Sequence, residues 1–476
     1  MEVTIIGYFL IPIGLLLLIF KRDTLIYVAI FFSSFTASSV LNIKFIKYGL
    51  QPSYYFSLLW MLSIFVELIA NKNFRTNSFE ILRKYKIVYI PILCLIVSAA
   101  ISLAMPIIIP LLQENIQIHP ISSPWGIYSN LTFSRKNITQ FMYVGFYSMI
   151  PILLLIKLRN KNQIIRCIRA LFISTAFTVF WGIFQFISYY LHIKYPYYLF
   201  NNNIGYSQGW AQLAWVNLKR VNSVAAEAST YSFYLLMGLS LLVVLILHDV
   251  YLLNKRFTHI LFGGVLITLI LTTSTTAYLG FIFLLIFMFV YLLYLKAITI
   301  NKTIFLMVIS KLINFTLITA SIIMLIIILI LFYSHKPYNY FLDIIKSLTL
   351  NKAQTISGLE RVDAMKEGLK LFSKSPLFGV GIGSNRTFDM VTTLLSSTGI
   401  AGMLSFILII VNSIKISLSS FITSNKSDIK YLSLGLALSV IVGIFTMAIS
   451  IPDLNYLFFW FVIGLIFATK KIEQVI

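Results

Sequence analysis

Charge is scarce in this chain. Only 11% of its 476 residues are Asp, Glu, Lys or Arg, against 59% hydrophobic. A soluble domain of this length needs far more polar surface, so a water-exposed globular fold is excluded. Acids are scarcer still, 15 against 37 basic residues, for a net charge of +22. Cysteine occurs twice, at Cys94 and Cys167, in or near runs expected to cross in opposite directions. That supplies neither a disulfide framework nor a metal site. No His/Cys/carboxylate cluster has metal-ligand spacing, so no metal and no cofactor is expected. No fixed-period repeat is present. The opening "MEVTIIGYFLIPIGLLLLIFKRD" lacks a basic n-region and a small-residue cleavage site, and reads as a retained span.

Long apolar runs are abundant. They recur at roughly 18 to 25 residues, the length of a bilayer-spanning helix. About thirteen (11–14) are expected, near 3–20, 24–42, 53–70, 87–112, 141–156, 170–192, 230–247, 260–275, 277–295, 313–333, 399–414, 431–450 and 456–469. The runs within 260–295 admit merging or a different split. The expected fold class is all-α, a polytopic membrane protein read as one membrane domain over 1–476.

On a soluble protein the basic surplus would suggest nucleic acid. Here the cations sit mostly in loops between spans and report orientation, so no nucleic-acid partner is expected. One side collects 22 Lys and Arg, including those of 71–86 and 157–169, while the short loops of the other hold 7 and the long segment 334–398 another 8. Long segments cross regardless of charge. This places the C-terminus in the cytoplasm and the N-terminus outside.

Three outward loops are then long: 113–140, 193–229 and 334–398. Their Trp and Tyr content is unlike that of disordered segments. Within the last, "SGLERVDAMKEGLKLFSKSP" predicts an amphipathic helix over 357–374. Ser357 and Glu360 have capping-box spacing, Leu359, Val362, Met365, Leu369 and Phe372 recur at helical spacing, and Pro376 closes it. Such a helix lies at the membrane–water boundary or packs over the bundle.

Four outward clusters could carry chemistry: Lys219 and Arg220 with Glu227; Arg361 in the first turn of the helix; Arg386 and Asp389 after the glycine run "PLFGVGIGSNRTFD"; and Arg135 with Lys136. Bland readings stand beside each. Lys366, Lys370 and Lys374 form a solvated face, and Arg135 and Lys136 suit snorkelling at a span end. The glycines lack the GxxxxGK[ST] arrangement and suit a packing turn. The hydroxyls of "LTTSTTAYLG" suit backbone bonding between two spans. Arg220 and Glu227 are placed just before or inside a span, where charge is expensive. A structural ion pair is one reading. In the other, arginine grips phosphate oxygens and a carboxylate takes a proton from an attacking hydroxyl. If the intervening chain is helical, seven residues separate them by roughly 10 Å, too far for an easy pair.

At "RVNSVAAEASTYS", "LTTSTTAYLG", "ERVDAMKEGLKLFSKSPLFGVGIGS", "LLSSTGIAGMLSFIL" and "KNITQFMY" the chain resembles the O-antigen polymerase/ligase superfamily of bacterial envelope polysaccharide synthesis. The resembling elements run from about 135 to 402. The resemblance implies a GT-C-like fold in the inner (cytoplasmic) membrane and glycosyl transfer at its outer, periplasmic face, with undecaprenyl-diphosphate-linked oligosaccharide as substrate. It also implies membrane lipid, a chain-length regulator and a flippase as partners. Arg220, Arg361 and Arg386 would bind the diphosphate, Glu227 or Asp389 would be the base, and Arg135 and Lys219 would make secondary contacts. Ligases of this superfamily resemble H-N-x9-G-x-x-G. Counting back from Gly399 and Gly402, those two positions are Phe388 and Asp389, which favours a polymerase over a ligase. A flippase or other transporter, which usually carries charge near the bilayer midplane, is the rival from another class.

Overall fold

Three residues beyond its last residue, Phe20, the first apolar helix is followed by Asp23, and the chain turns back. That reversal sets the pattern for the whole computed structural model, which describes residues 1–46, 48–112, 116–121, 126–206, 214–215, 218–298, 306–314, 316–317, 321, 324 and 356–474. The chain is an all-α polytopic membrane protein. Among the described residues the helices include, in order, α1 (Ile5–Phe20), α2 (Thr24–Phe31), α3 (Pro52–Ala70), α4 (Lys72–Lys84), α5 (Lys86–Leu112), α6 (Arg135–Lys157), α7 (Lys161–Tyr190), α8 (Tyr197–Phe200), α9 (Ala228–Leu247), α10 (Lys255–Leu271), α11 (Thr275–Ile298), α12 (Ile356–Lys374), α13 (Met390–Thr423), α14 (Ser427–Ser450) and α15 (Leu457–Glu473). Among the described residues 8 are long and apolar enough to cross a membrane. The expected span at 313–333 lies mostly outside the described residues, as does the segment 334–355.

The expectation of one span over 24–42 is corrected. α2 ends at Phe31, a short 3₁₀ turn covers Phe32–Ser34, and the chain continues extended to β2 (Leu41–Ile43). β2 pairs antiparallel with β1 (Glu2–Val3) and β3 (Tyr48–Leu50), so it lies at the same end of α1 as the N-terminus. The segment does return along α1, but as a broken element. "FSSFTASSV" explains the break: its Ser and Thr hydroxyls offer the backbone partners other than helical carbonyls. Non-helical backbone inside a membrane protein must be satisfied internally, and here it is. Ala37 N–H donates to Val224 O at 3.1 Å, and Ser38 Oγ donates to Phe200 O at 2.6 Å. The runs within 260–295 split at the "TTST" turn, where Thr272 Oγ1 donates to Leu269 O at 2.7 Å.

Contacts divide the chain into two compact units: Met1–Glu67, Asn160–Thr349 and Ser420–Gly443 in the first; Leu68–Arg159, Leu350–Ser419 and Ile444–Ile476 in the second. In the first, α9 is the core, buried along nearly its whole length among α7, α10 and α11. α14 approaches α9 through Gly435, Ser439 and Gly443, spaced i, i+4, i+8. A Cβ on Gly435 would lie 2.6 Å from Leu241, and Ser439 Oγ donates to Met237 O at 2.9 Å. Small residues allow such close packing where no hydrophobic effect separates helix from lipid. In the second unit α15 packs on α6, with Gly464 set against Pro151 and Leu154.

Candidate active site

In the second unit, the site is built on α5, α6 and the glycine run. Gly379, Gly381 and Gly383 all have positive φ (68°, 122° and 75°). A Cβ would lie 2.4 Å from Ser397 C at the first, 2.3 Å from Pro106 Cγ at the second and 2.8 Å from Lys136 O at the third. The run is a packing turn wedged among three helices, the expected alternative to a phosphate loop. Ser102 of α5 and Asn137 of α6 hold it. Ile382 N donates to Ser102 Oγ at 2.8 Å, while Asn137 Nδ2 donates to Ile382 O at 2.7 Å and Ser384 Oγ at 2.8 Å. Asn137 Oδ1 accepts from Ser134 N at 2.7 Å, closing the capping box of α6. Sequence reading missed Asn137. The Ser134-x-x-Asn137 spacing was its available signal.

The turn delivers the chain to Arg386. Its N–H donates to His119 O at 2.8 Å, and His119 N–H donates to Asn385 Oδ1 at 3.1 Å. The structure thereby brings together two segments that the sequence places in separate loops, 113–140 and 334–398. Ile109, Ile118, Leu131, Leu371 and Val380 form an apolar core beneath them.

α12 lies on this floor by its small residues. Gly358, Ala364 and Gly368 are buried, and a Cβ on Gly368 would lie 3.1 Å from Thr392 Cβ. The larger apolar residues Leu359, Val362, Met365 and Leu369 remain exposed. The helix is described from Ile356, so Ser357 lies inside its first turn rather than at its N-cap, and the Ser357 side chain lies outside the described residues. The close approach has a consequence for Arg361, one turn in. Its Cζ sits 5.4 Å from the centroid of the Phe388 ring, and Arg386 Cζ sits 5.3 Å from the same centroid. Two half-buried guanidiniums therefore share one aromatic ring, each attracted by its quadrupole. Each contact with the ring also offsets part of the repulsion of two like charges.

Asp389 is adjacent, but its carboxylate is engaged. Oδ1 accepts from Thr392 N–H at 2.9 Å and Oδ2 from the Thr392 hydroxyl, which makes Asp389 the cap of α13. α13 breaks at Gly399 (φ 66°), where Ile400 N–H donates to Pro376 O at 2.8 Å and Ala401 N–H to Leu377 O at 3.1 Å. Arg135 and Lys136 are exposed in the first turn of α6.

The remaining candidates lie in the first unit. The helical condition on the Arg220–Glu227 separation is not met. The chain there is a turn, with Ser223 at φ 52°. Gln185, a buried amide in the apolar stretch of α7, fixes it. Its Oε1 accepts from Asn222 N at 3.1 Å and Ser223 N at 2.9 Å, and its Nε2 donates to Asn222 Oδ1 at 2.9 Å. Val221 N–H donates to Leu271 O at 3.1 Å, tying the turn to the "LTTST" element. Glu227 is exposed at the N-cap position of α9. Its carboxylate accepts from Ser229 Oγ at 3.2 Å and makes no ion pair among the described residues. The structural Arg220–Glu227 bridge is thus absent. Lys219, 1% exposed on the short strand Leu218–Lys219, has its ammonium pushed down to about 8 by burial and then by the charge of Arg220.

Residues 259–392 match the O-antigen ligase family (Wzy_C). No curated protein matches the chain. The matched segment takes in Arg361, Arg386, Phe388 and Asp389 and leaves out Lys219, Arg220 and Glu227. It supports membership of the O-antigen polymerase/ligase superfamily, whose members are glycosyltransferase-like enzymes acting on polysaccharides.

Proposed function

We propose that this chain polymerises undecaprenyl-diphosphate-linked oligosaccharide units at the outer face of the cytoplasmic membrane. The observation that carries the reading is the arginine pair about Phe388. Two planar guanidiniums fixed by one ring suit the oxygens of a diphosphate, and both remain in place as negative charge develops on it. In the transfer, the acceptor hydroxyl loses its proton to a carboxylate, its oxygen bonds the donor's anomeric carbon, and the bond from that carbon to the diphosphate oxygen breaks. Glu227 is the better base of the two carboxylates, since Asp389 is occupied as a helix cap. Arg220 is a third candidate cation. Lys219 and Arg135 are candidate secondary contacts.

The phenylalanine at 388, where ligases of this superfamily resemble a histidine, favours a polymerase. The description of the matched family favours the second reading, a ligase that transfers finished chains to lipid A-core from the same kind of donor. A flippase is the third. Lipopolysaccharide from a deletion strain separates them. Single-repeat lipopolysaccharide, restored to long chains by the wild-type gene, is the expected result. Complete loss of O-antigen from lipid A-core would overturn the polymerase reading in favour of a ligase or flippase.

A further inference from the structure

At the other ends of α5 and α6 from the arginine pair lies α4, a short amphipathic helix. Asn71 caps it, accepting from Phe74 N–H at 3.0 Å. Its inner face buries Phe74 and Ser78. The Phe74 ring receives Lys157 Nζ, from the last residue of α6, at 5.5 Å and Arg159 Cζ, two residues beyond it, at 5.6 Å. Tyr85 alone separates α4 from the membrane span α5. These contacts hold α4 at the surface of the bilayer, since it is fastened to the ends of two spans.

Its outer face has a definite chemistry. Phe79 is 65% exposed. Lys72, Arg75 and Arg83 stand at i−7, i−4 and i+4 from it, on the same side of the helix, and all three are exposed. None of the three pairs with a carboxylate among the described residues. The one acid of the helix, Glu80, is about 100° away around the axis. A bare aromatic ring ringed by three cations is poorly suited to water. It suits the boundary where a ring enters the acyl region and cations meet phosphates.

We propose that this face of α4 binds the headgroups of anionic phospholipids in the leaflet facing the cytoplasm, with Phe79 inserted between them. The proposal does not depend on the enzymatic reading. An acidic protein partner would need a carboxylate-rich surface but no lipid, and the test separates the two.

The experiment uses the full-length protein in vesicles of phosphatidylglycerol and phosphatidylcholine, one of the two carrying a photoreactive group, with labelled peptides mapped by mass spectrometry. The α4 peptide is expected to be labelled by phosphatidylglycerol about tenfold more than by phosphatidylcholine. That preference should fall about fivefold in Arg75→Gln, vanish in Lys72→Gln/Arg75→Gln/Arg83→Gln, and shrink in high salt. Labelling of α5 peptides serves as the internal control and should not change. Equal labelling by the two lipids, or an undiminished preference in Arg75→Gln at both salt concentrations, overturns the proposal.

Discussion

Phe388→Leu isolates the contribution of the ring that Arg361 and Arg386 share. Leucine retains an apolar side chain but lacks the π face. A guanidinium over an aromatic ring contributes about 0.5–1 kcal/mol when exposed and about 2 when desolvated. Both arginines are half-buried, at 5.4 and 5.3 Å from the centroid, so about 1 kcal/mol each is appropriate. Losing both contacts is expected to lower the rate about 30-fold, at about 1.4 kcal/mol per tenfold. The assay is conversion of lipid-diphosphate-linked repeat units by the full-length protein in vesicles, normalised to protein amount. Coupling supplies the sharper criterion. In an Arg386→Ala background only one ring contact remains, so Phe388→Leu should then cost about fivefold. A wild-type rate in Phe388→Leu refutes the idea that the ring organises the pair. The same cost with and without Arg386 refutes the shared contact.

Further outcomes follow from other contacts. Arg361→Ala should abolish chain extension, whereas Lys370→Ala on the exposed face of α12 should do little; equal losses at normal abundance would show that only surface charge matters. Glu227→Gln keeps shape and hydrogen bonding but not basicity, and should eliminate long chains at normal abundance. Arg220→Lys should do likewise if the planar fork is needed; normal chain lengths from both would remove these residues from the site. Gly381→Ala places a Cβ 2.3 Å from Pro106 Cγ at φ 122°, and should destabilise by at least about 3 kcal/mol, read as lost thermal stability in detergent. Lys219 is held at about 8 against an ordinary 10.5. Between those values the unfolded chain binds a proton that the folded chain lacks, so stability should rise with pH there, and Lys219→Met should flatten the rise.

The apolar runs by themselves determined the fold class, because a helix that spans a bilayer must satisfy its own backbone and be apolar over a fixed length. They also located the "TTST" turn and the glycine turn, where hydroxyl and glycine chemistry acts within a few residues. They misled at 24–42, since hydropathy counts a serine-rich irregular segment as apolar once Phe and Val flank it. Their spacing marked the apolar stripe of α12 but not its packing face. Close approach to a floor of loops selects Gly358, Ala364 and Gly368, and an apolar stripe beside a membrane need not turn inward. The pairing of Arg361 with Arg386 was decided only by tertiary structure, because their common ring depends on Asn137 and Ser102, on other helices, holding the intervening turn. The hydrogen bonding of the two carboxylates was decided in the same way. Asp389 and Glu227 each precede a helix and look alike in the sequence. Thr392 engages one as a cap, and the other remains exposed beside Ser229, because hydrogen-bond partners in three dimensions, not residue type, decide what a carboxylate has left to offer.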